Sequence, residues 1–467
     1  MTSPLARSRG AFRATAAAKV ADPHAQQALD EATGRLYGHR LAAWGELEDV
    51  EALRERARQI RTGTLEHLEA HVDAFARAVE ARGGRVHRAA SAAEAREAVV
   101  EICRRAGARR AAKSKSMATE EIGLNPALEA AGIEVVETDL GEYILQLGGE
   151  HPVHIVAPAI EKTAAEVAEL FSRVEGRPIA DDLAELTRTA RRRLREVFLT
   201  ADVGITGANF GVAETGSICL VSNEGNARLV SSLPRVHVAV MGMERVVPTL
   251  DEVAVLLQLL ARSATGQKLT SYTTLVTGPR REGEQDGPEE LHVVIIDNGR
   301  TDILAGPHRV MLSCIRCGAC INACPVYRKA GGAAYGPVLS GPMGAVYGPL
   351  LAGLDRAADL PHASSLCGAC TAACPVKIPL HDLLLDLRRD QAAAGVAPLR
   401  ERLAFALWSL AWSRPATYRL STRLARLGRP LAGRVGPGRA WARERALPRF
   451  ARERALPRFA RRRFRDR

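Results

Sequence analysis

Long apolar runs are missing from this chain of 467 residues: none reaches the roughly 18 consecutive apolar residues that a membrane span needs. The nearest candidate, Leu403 to Trp412, is about half that length on the same criterion. The amino terminus, MTSPLARSRGAFRATAAAKV, has basic residues but no apolar core of the kind that marks a secretory signal. A cytoplasmic chain is therefore expected. No GxGxxG stands between a strand-like and a helix-like segment, which excludes the usual flavin or nicotinamide fingerprint. Aromatic residues make up only 4% of the chain, and no helix-turn-helix or aromatic stacking motif supports nucleic-acid binding.

Lysine is absent from residues 388–467, where 22 arginines face five acids, a surplus of 17 positive charges. The whole chain carries +12, so the part before this tail is mildly acidic, at −5. The basicity thus belongs to the tail. Such a tail is either a solvated terminus or a contact for an acidic partner, an anionic membrane surface or nucleic acid. Its segment Leu403–Trp412 suits a helix packed on the module before it, with Trp408 and Trp412 buried. The other reading lays the same helix on a membrane. ARERALPRF occurs twice in tandem, at 442–450 and 451–459, too short an array for a solenoid.

What is present is 46% hydrophobic and 25% charged, the balance of a globular protein long enough for two or three units. Residues 1–64 read as a helical lead-in, with Leu47, Val50, Leu53, Ala57 and Ile60 at helical spacing. From 65 to 300, helical segments (Leu65–Arg82, Ala92–Arg105) alternate with short β-branched runs. Strands are expected at Ile133–Val136, Val153–Ala157, Ser217–Val221, Val236–Met241 and Val293–Ile296. The expectation is an α/β domain with a parallel sheet covered on both faces. Residues 301–395 form a cysteine module. Its centre, Gly331–Gly353, is dense in Gly and Pro and is expected to be loop or short turns. Leu380, Leu383, Leu384 and Leu387 then mark a helix. Residues 396–467 are the basic region.

Seven of the nine cysteines fall within 61 residues, which argues for metal ligands rather than disulfides. Cys314-x2-Cys317-x2-Cys320-x3-Cys324-Pro325 is a complete bacterial ferredoxin run, and Cys367-x2-Cys370-x3-Cys374-Pro375 follows it. In such modules the fourth cysteine of each run ligates the other cluster. Cluster one is then expected on Cys314, Cys317, Cys320 and Cys374, and cluster two on Cys324, Cys367 and Cys370. Cluster two is one thiolate short, because Ser364 stands where the first cysteine of its run would be. It is a 4Fe-4S cluster with Ser364 or another non-cysteine ligand, a 4Fe-4S cluster with an open iron, or a 3Fe-4S cluster. Structural zinc closes on four ligands, and seven cysteines with two Cys-Pro endings do not suit it. Cys103 and Cys219 stand apart and read as buried packing.

Polar clusters interrupt the α/β region: Lys113-Ser114-Lys115-Ser116, Glu137-Thr138-Asp139, Gly204-x-Thr206-Gly207-x-Asn209, Glu214-Thr215-Gly216-Ser217 and Asn223-Glu224-Gly225-Asn226 with Arg228. Small residues beside Lys, Glu and Asn at strand ends suit either a pocket for a small anion or ordinary turns. For a pocket, Lys113, Lys115 and Arg228 are the candidate carboxylate holders and Glu214 the candidate base.

KSKSMATEEIGLN, VVETDLGEYILQL, GITGANFGVAETGSICLVSNEGN, CIRCGACINACPVYR and SSLCGACTAACPVKIPLHDLL together resemble the iron–sulfur B proteins of bacterial lactate utilisation, from about residue 50 to 390. The resemblance implies a LUD domain similar to sugar-isomerase and CoA-transferase folds, fused to a mainly α two-cluster ferredoxin-type module. It implies two companion proteins, a cysteine-rich-domain subunit and a second LUD-domain subunit, with which L-lactate is oxidised to pyruvate. A three-cysteine second run is shared by the family, whereas the tandem ARERALPRF is a departure. The reading that follows is an electron carrier rather than the site of dehydrogenation. The iron–sulfur subunit of a glycolate- or heterodisulfide-linked oxidoreductase has the same cysteine spacing. A redox-sensing nucleic-acid binder is a third class, with only the arginine tail behind it.

Overall fold

A computed structural model describes residues 4–427 and divides the chain into two compact units, Met1–Gln391 and Ala392–Arg467. The described residues of the first unit hold ten strands. They are β1 (Arg85–Ala89), β2 (Arg110–Lys113), β3 (Glu134–Glu137), β4 (Val203–Thr206), β5 (Phe210–Val212), β6 (Ser217–Ser222), β7 (Val236–Gly242), β8 (Val246–Val247), β9 (Tyr272–Val276) and β10 (Glu290–Ile296). Six form a parallel sheet in the order β1-β10-β7-β4-β2-β3. The other four form a second sheet, β8-β5-β6-β9.

The parallel sheet is built from the residues that both-face burial demands. β7, VHVAVMG, is buried at every position, and β10 at all but its first. One face is covered by the helix Ala92–Arg105, whose Val99, Ile102 and Cys103 pack with Val203, Val236 and Val238. Behind the other face lies one continuous core. It runs from Phe75 and Val79 through Met241 and Leu291 to Cys317, Cys320, Leu384 and Leu387. The α/β domain and the cysteine module therefore share a single hydrophobic interior.

Three expectations need correction. Val153–Ala157 is not a strand. Its backbone N–H groups at Val156 and Ala157 donate to Nδ1 of buried His154, each at 3.0 Å, so a side chain replaces a strand partner. Within Gly331–Gly353 a helix runs from Gly341 to Ala352, with Pro342 in its first turn where no N–H is required. Every residue from Gly341 to Pro349 is buried, and that packing overrides the weak helix propensity of glycine. A Cβ on Gly344 would come within 2.3 Å of the Leu339 carbonyl, so only glycine fits. The segment Leu65–Arg82 also breaks at His67, between helices Val50–Glu66 and Leu68–Ala81.

The second unit contributes the helices Leu399–Trp412 and Pro415–Leu427. Trp408 and Trp412, expected to be buried, are 56% and 53% exposed and stack on each other with ring centroids 5.7 Å apart. The apolar residues lie all round this helix, so it has no single face to bury. The tandem ARERALPRF lies outside the described residues.

A buried charge network joins the elements of the first unit. Arg300, at the start of the helix after β10, donates to both carboxylate oxygens of Glu121 at 2.8 Å and to Glu244 at 2.5 Å. Arg316, from the first cysteine run, donates to the other Glu244 oxygen at 3.1 Å. Arg61, wholly buried in the helix Val50–Glu66, donates to the carbonyls of Glu244, Val246 (3.2 Å) and Leu312 (3.1 Å). Burial alone would raise the Glu244 carboxyl; Arg300, Arg316 and Arg245 outweigh it and hold it down at about 2.

Arg300→Ala leaves Glu121 and Glu244 buried without their shared partner, and a loss of about 3–5 kcal/mol is expected in urea unfolding. The same network gives an acid signature. A carboxyl depressed in the folded state contributes stability above its unfolded value of 4.5, which is lost as pH falls through about 2. Urea midpoints are expected to drop across that window, and to drop less in Arg300→Ala.

Candidate functional site

The two cysteine runs fold alike. In the first, Arg316 and Gly318 take left-handed conformations on either side of Cys317, with φ of 57° and 78°. In the second, Leu366 and Gly368 do the same around Cys367, with φ of 55° and 80°. A short helix follows each, Ala319–Asn322 and Ala369–Ala373, and carries Cys320 and Cys370. Backbone N–H groups then aim at the last sulfur of each run. Tyr327 N donates to Cys324 Sγ at 3.5 Å and Ile378 N to Cys374 Sγ at 3.3 Å.

Cys314, Cys317, Cys320 and Cys374 line one cavity together with Ile155, Ile315, Met343, Val376, Ile378 and Leu380. Burial pushes these thiols up, and the neighbouring sulfurs add to the effect; Cys374 rises to about 12 from burial with Cys314 beside it. Among the described residues, no three His, Cys, Asp or Glu side chains converge on a point where one bare metal ion would sit. The four sulfurs surround a space with apolar walls. That donor set and shape fit a cubane held by thiolates, not the closed tetrahedron of zinc.

Cys324, Cys367 and Cys370 form the second group. Burial and then Cys367 raise the Cys324 thiol, while burial and then Cys324 push Cys370 up to about 11. Tyr335 lies beside the group, near enough to influence the Cys324 thiol, and its hydroxyl donates to the Ala363 carbonyl at 3.3 Å. Cys367 is exposed, whereas Cys324 and Cys370 are buried. The first group is therefore enclosed and the second reaches the surface. Cys103 and Cys219 are wholly buried elsewhere, and burial pushes each up to about 12.

The loops are pinned by residues that carried no signal in the sequence. Arg54 donates to the Cys374 carbonyl at 2.7 Å and Arg40 to that of Ala373 at 3.1 Å, both from helices of the supposed lead-in. Arg245 donates to the Cys314 carbonyl at 2.8 Å. His154 accepts two backbone N–H groups at Nδ1, so its Nε2–H donates to Asn322 Oδ1 at 3.0 Å. Burial, with Lys115 near, lowers the ring to about 4 and keeps it neutral. A lone arginine or histidine on an amphipathic segment looks the same whether it meets solvent or a distant carbonyl.

A second cavity, of about 300 Å³, opens beyond the carboxyl ends of the parallel strands. Ser114 after β2, Asp139 after β3, Gly207 after β4 and Gly242 at the end of β7 line it, the place where open α/β sheets bind ligands. Lys115 lines it too and makes no hydrogen bond or ion pair through its side chain among the described residues. The other three candidates lie elsewhere. Lys113 is wholly buried and pairs with Glu137 at 2.7 Å and Glu120 at 2.9 Å. Glu214 is exposed and accepts the Leu250 N–H at 3.2 Å, at the start of the helix Leu250–Ala264. Arg228 is exposed and does not line the cavity.

Other residues of the polar clusters that were not singled out also line this cavity, among them Asn209, Glu224 and Asn226. Asn209 Oδ1 accepts the Val221 N–H and Asn226 Oδ1 accepts the Ser222 hydroxyl, which leaves both amide nitrogens as free donors. Burial, then Asp139, pushes the Glu224 carboxyl up to about 7. The two cavities adjoin, because Ile155 and Arg316 line both.

Known protein families match two regions of the chain. A LUD domain model matches residues 72–296, and a 4Fe-4S dicluster domain model matches residues 310–378. Lactate utilization protein B of Bacillus cytotoxicus is 49% identical over 437 residues, covering 92% of each chain. Its counterpart in Bacillus cereus and lactate utilization protein B 2 of Bacillus mycoides are each 48% identical over the same coverage. A solved DUF162 family protein of Deinococcus radiodurans is 16% identical, covers 50% of this chain and 98% of its own, and has a TM-score of 0.24. A LUD sheet and a 4Fe-4S dicluster module in one chain, with near-half identity over nine-tenths of its length, place this protein in the lactate utilization protein B family.

Proposed function

We propose that this chain is the iron–sulfur electron-transfer subunit of a complex that oxidises L-lactate to pyruvate. The observation that carries the reading is the adjacency of an enclosed four-cysteine cavity to a ligand-sized cavity, with Arg316 and Ile155 as the shared wall. Cys314, Cys317, Cys320 and Cys374 would hold one cluster, and Cys324, Cys367 and Cys370 the other. Two 4Fe-4S clusters bound there supply one-electron steps. The exposed Cys367 puts the second group where a partner subunit can approach. The companions are a cysteine-rich-domain subunit and a second LUD-domain subunit.

The chain's own residues supply binding and orientation. Lys115, the unpaired cation of the 300 Å³ cavity, holds a small carboxylate, and the amides of Asn209 and Asn226 donate to it or to its hydroxyl. Lys113 has a structural role, neutralising the buried Glu137. The unit from residue 392 presents Leu403, Phe405, Leu407, Trp408 and Trp412 exposed among arginines, a composition that suits the surface of an anionic membrane. No helix among the described residues is long and apolar enough to cross one.

Anaerobic EPR with an iron count is expected to give two cluster signals and about seven or eight irons per chain. Protein without iron after reconstitution would remove the reading. Deletion of the gene is expected to abolish growth on L-lactate; growth lost on glycolate instead would assign the chain to a different oxidoreductase. In urea, Lys113→Ala is expected to cost about 3–5 kcal/mol, because it strands buried carboxylates. Lys115→Ala is expected to stay within about 0.5 kcal/mol of the parent. Its effect falls on L-lactate binding by the anaerobic holoprotein, measured by calorimetry.

A further inference from the structure

The second cysteine run lacks its first cysteine, yet the backbone at that position is built as though a ligand were there. Aligned by their Cys-Pro endings, the runs place Ser364 opposite Cys314, Cys367 opposite Cys317, Cys370 opposite Cys320 and Cys374 opposite Cys324. The conformations follow the same alignment. Arg316 and Leu366, two residues after the first position, both take a left-handed φ that costs a non-glycine residue energy, 57° and 55°. The hydrogen bonds match as well. Arg316 N donates to Cys314 Sγ at 3.4 Å, and Leu366 N donates to Ser364 Oγ at 3.0 Å. The serine oxygen therefore holds the place that the ligand sulfur holds in the other run, down to the same N–H.

Independent contacts fix that place relative to the other sulfurs of the second group. Tyr335, beside Cys324, donates to the carbonyl of Ala363, the residue before Ser364. Arg388 grips the other side, donating to the Pro361 carbonyl at 2.8 Å and the Ser364 carbonyl at 3.4 Å. Cys324, Cys367 and Cys370 are near enough to influence one another's thiols. Ser364 is only partly buried and Ser365 beside it is exposed, so a proton released there reaches water.

We infer that Ser364 is the fourth protein ligand of cluster two, completing a 4Fe-4S cluster with Cys324, Cys367 and Cys370. This rests on the two-cluster reading above. On cluster assembly the Oγ–H bond breaks, an Oγ–iron bond forms and the proton leaves to solvent; no electron is transferred. The second cluster then has three sulfur donors and one oxygen donor from the protein, where the first has four sulfurs.

The test is Mössbauer and EPR spectroscopy, with iron counts, on the anaerobically purified full chain grown with ⁵⁷Fe, and on Ser364→Ala and Ser364→Cys. The expected wild type has about eight irons, one of them in a distinct site that added cyanide or thiol does not change. Ser364→Ala is expected to lose one iron of the eight and to show a three-iron signal on oxidation, with cluster one unaltered. Ser364→Cys is expected to keep eight irons and lose the distinct site. Three results would each overturn the assignment: a wild type with seven irons, a wild-type iron that takes up cyanide or thiol, or an unchanged spectrum in Ser364→Ala. If Ser364→Ala loses the second cluster entirely, the wild-type response to cyanide and the Ser364→Cys spectrum still decide. A wild type with no clusters at all fails the two-cluster reading itself, a different outcome from any of these.

Discussion

The buried pair of carboxylates at Glu121 and Glu244 is the constraint on which the rest of the first unit depends. Each charge is wholly enclosed and tolerable only because arginines from distant parts of the chain reach it: Arg300 after β10 and Arg316 from the cysteine run. Such pairs add little net stability over an apolar core, but breaking one strands a charge in a medium that cannot solvate it. The network thus enforces registry. The sheet end, the helix Val50–Glu66 and the first cysteine loop have to meet in one arrangement for Glu244 and Arg61 to be satisfied together. The same network holds the first loop with its left-handed Arg316, because that guanidinium is committed to Glu244.

That registry sets up the functional geometry. Arg316 belongs to the charge network, to the wall of the four-cysteine cavity and to the wall of the 300 Å³ cavity. The 300 Å³ cavity therefore meets the cysteine loop through Arg316 and the shared Ile155, with no intervening element. The helices before residue 67 complete the enclosure through Arg40 and Arg54, which hold the carbonyls next to Cys374. What reads in isolation as a lead-in is in fact the outer clamp of the enclosed site. The second group of cysteines, braced by Tyr335 and Arg388, is the one open to the surface.

Much of the fold was legible because both-face burial writes itself into composition. β7 and β10 are rich in Val and Ile, and the helices Ala92–Arg105 and Leu380–Ala393 show their apolar stripes plainly. Strands β1, β2, β4, β5, β8 and β9 were not seen: β2, β4, β5 and β8 have two to four residues and carry no period, while β1 and β9 are largely exposed edge strands without an apolar run. Val153–Ala157 misled for the opposite reason. Its apolar residues are those of a strand, but His154 takes the backbone donors a neighbouring strand would have taken. In Gly341–Ala352 the glycines that argued for turns are instead contact points, needed where Leu339 and Leu360 press against the helix.

By itself the sequence determined the iron–sulfur class of the module, since cysteine spacing is a local property. It left the small polar segments at strand ends open between a site for a small anion and ordinary turns. Which side chains enter that site was a tertiary decision. Lys113 and Lys115 are two residues apart and chemically identical, and an unbroken strand would put both on one face; because β2 ends at Lys113, that residue pairs with Glu137 while Lys115, beyond the strand, lines the cavity. Whether Ser364 is a substitution or a ligand was likewise undecidable from its letter. Only the folded backbone shows its oxygen receiving the same N–H as the sulfur of Cys314, because that equivalence is one of position in space.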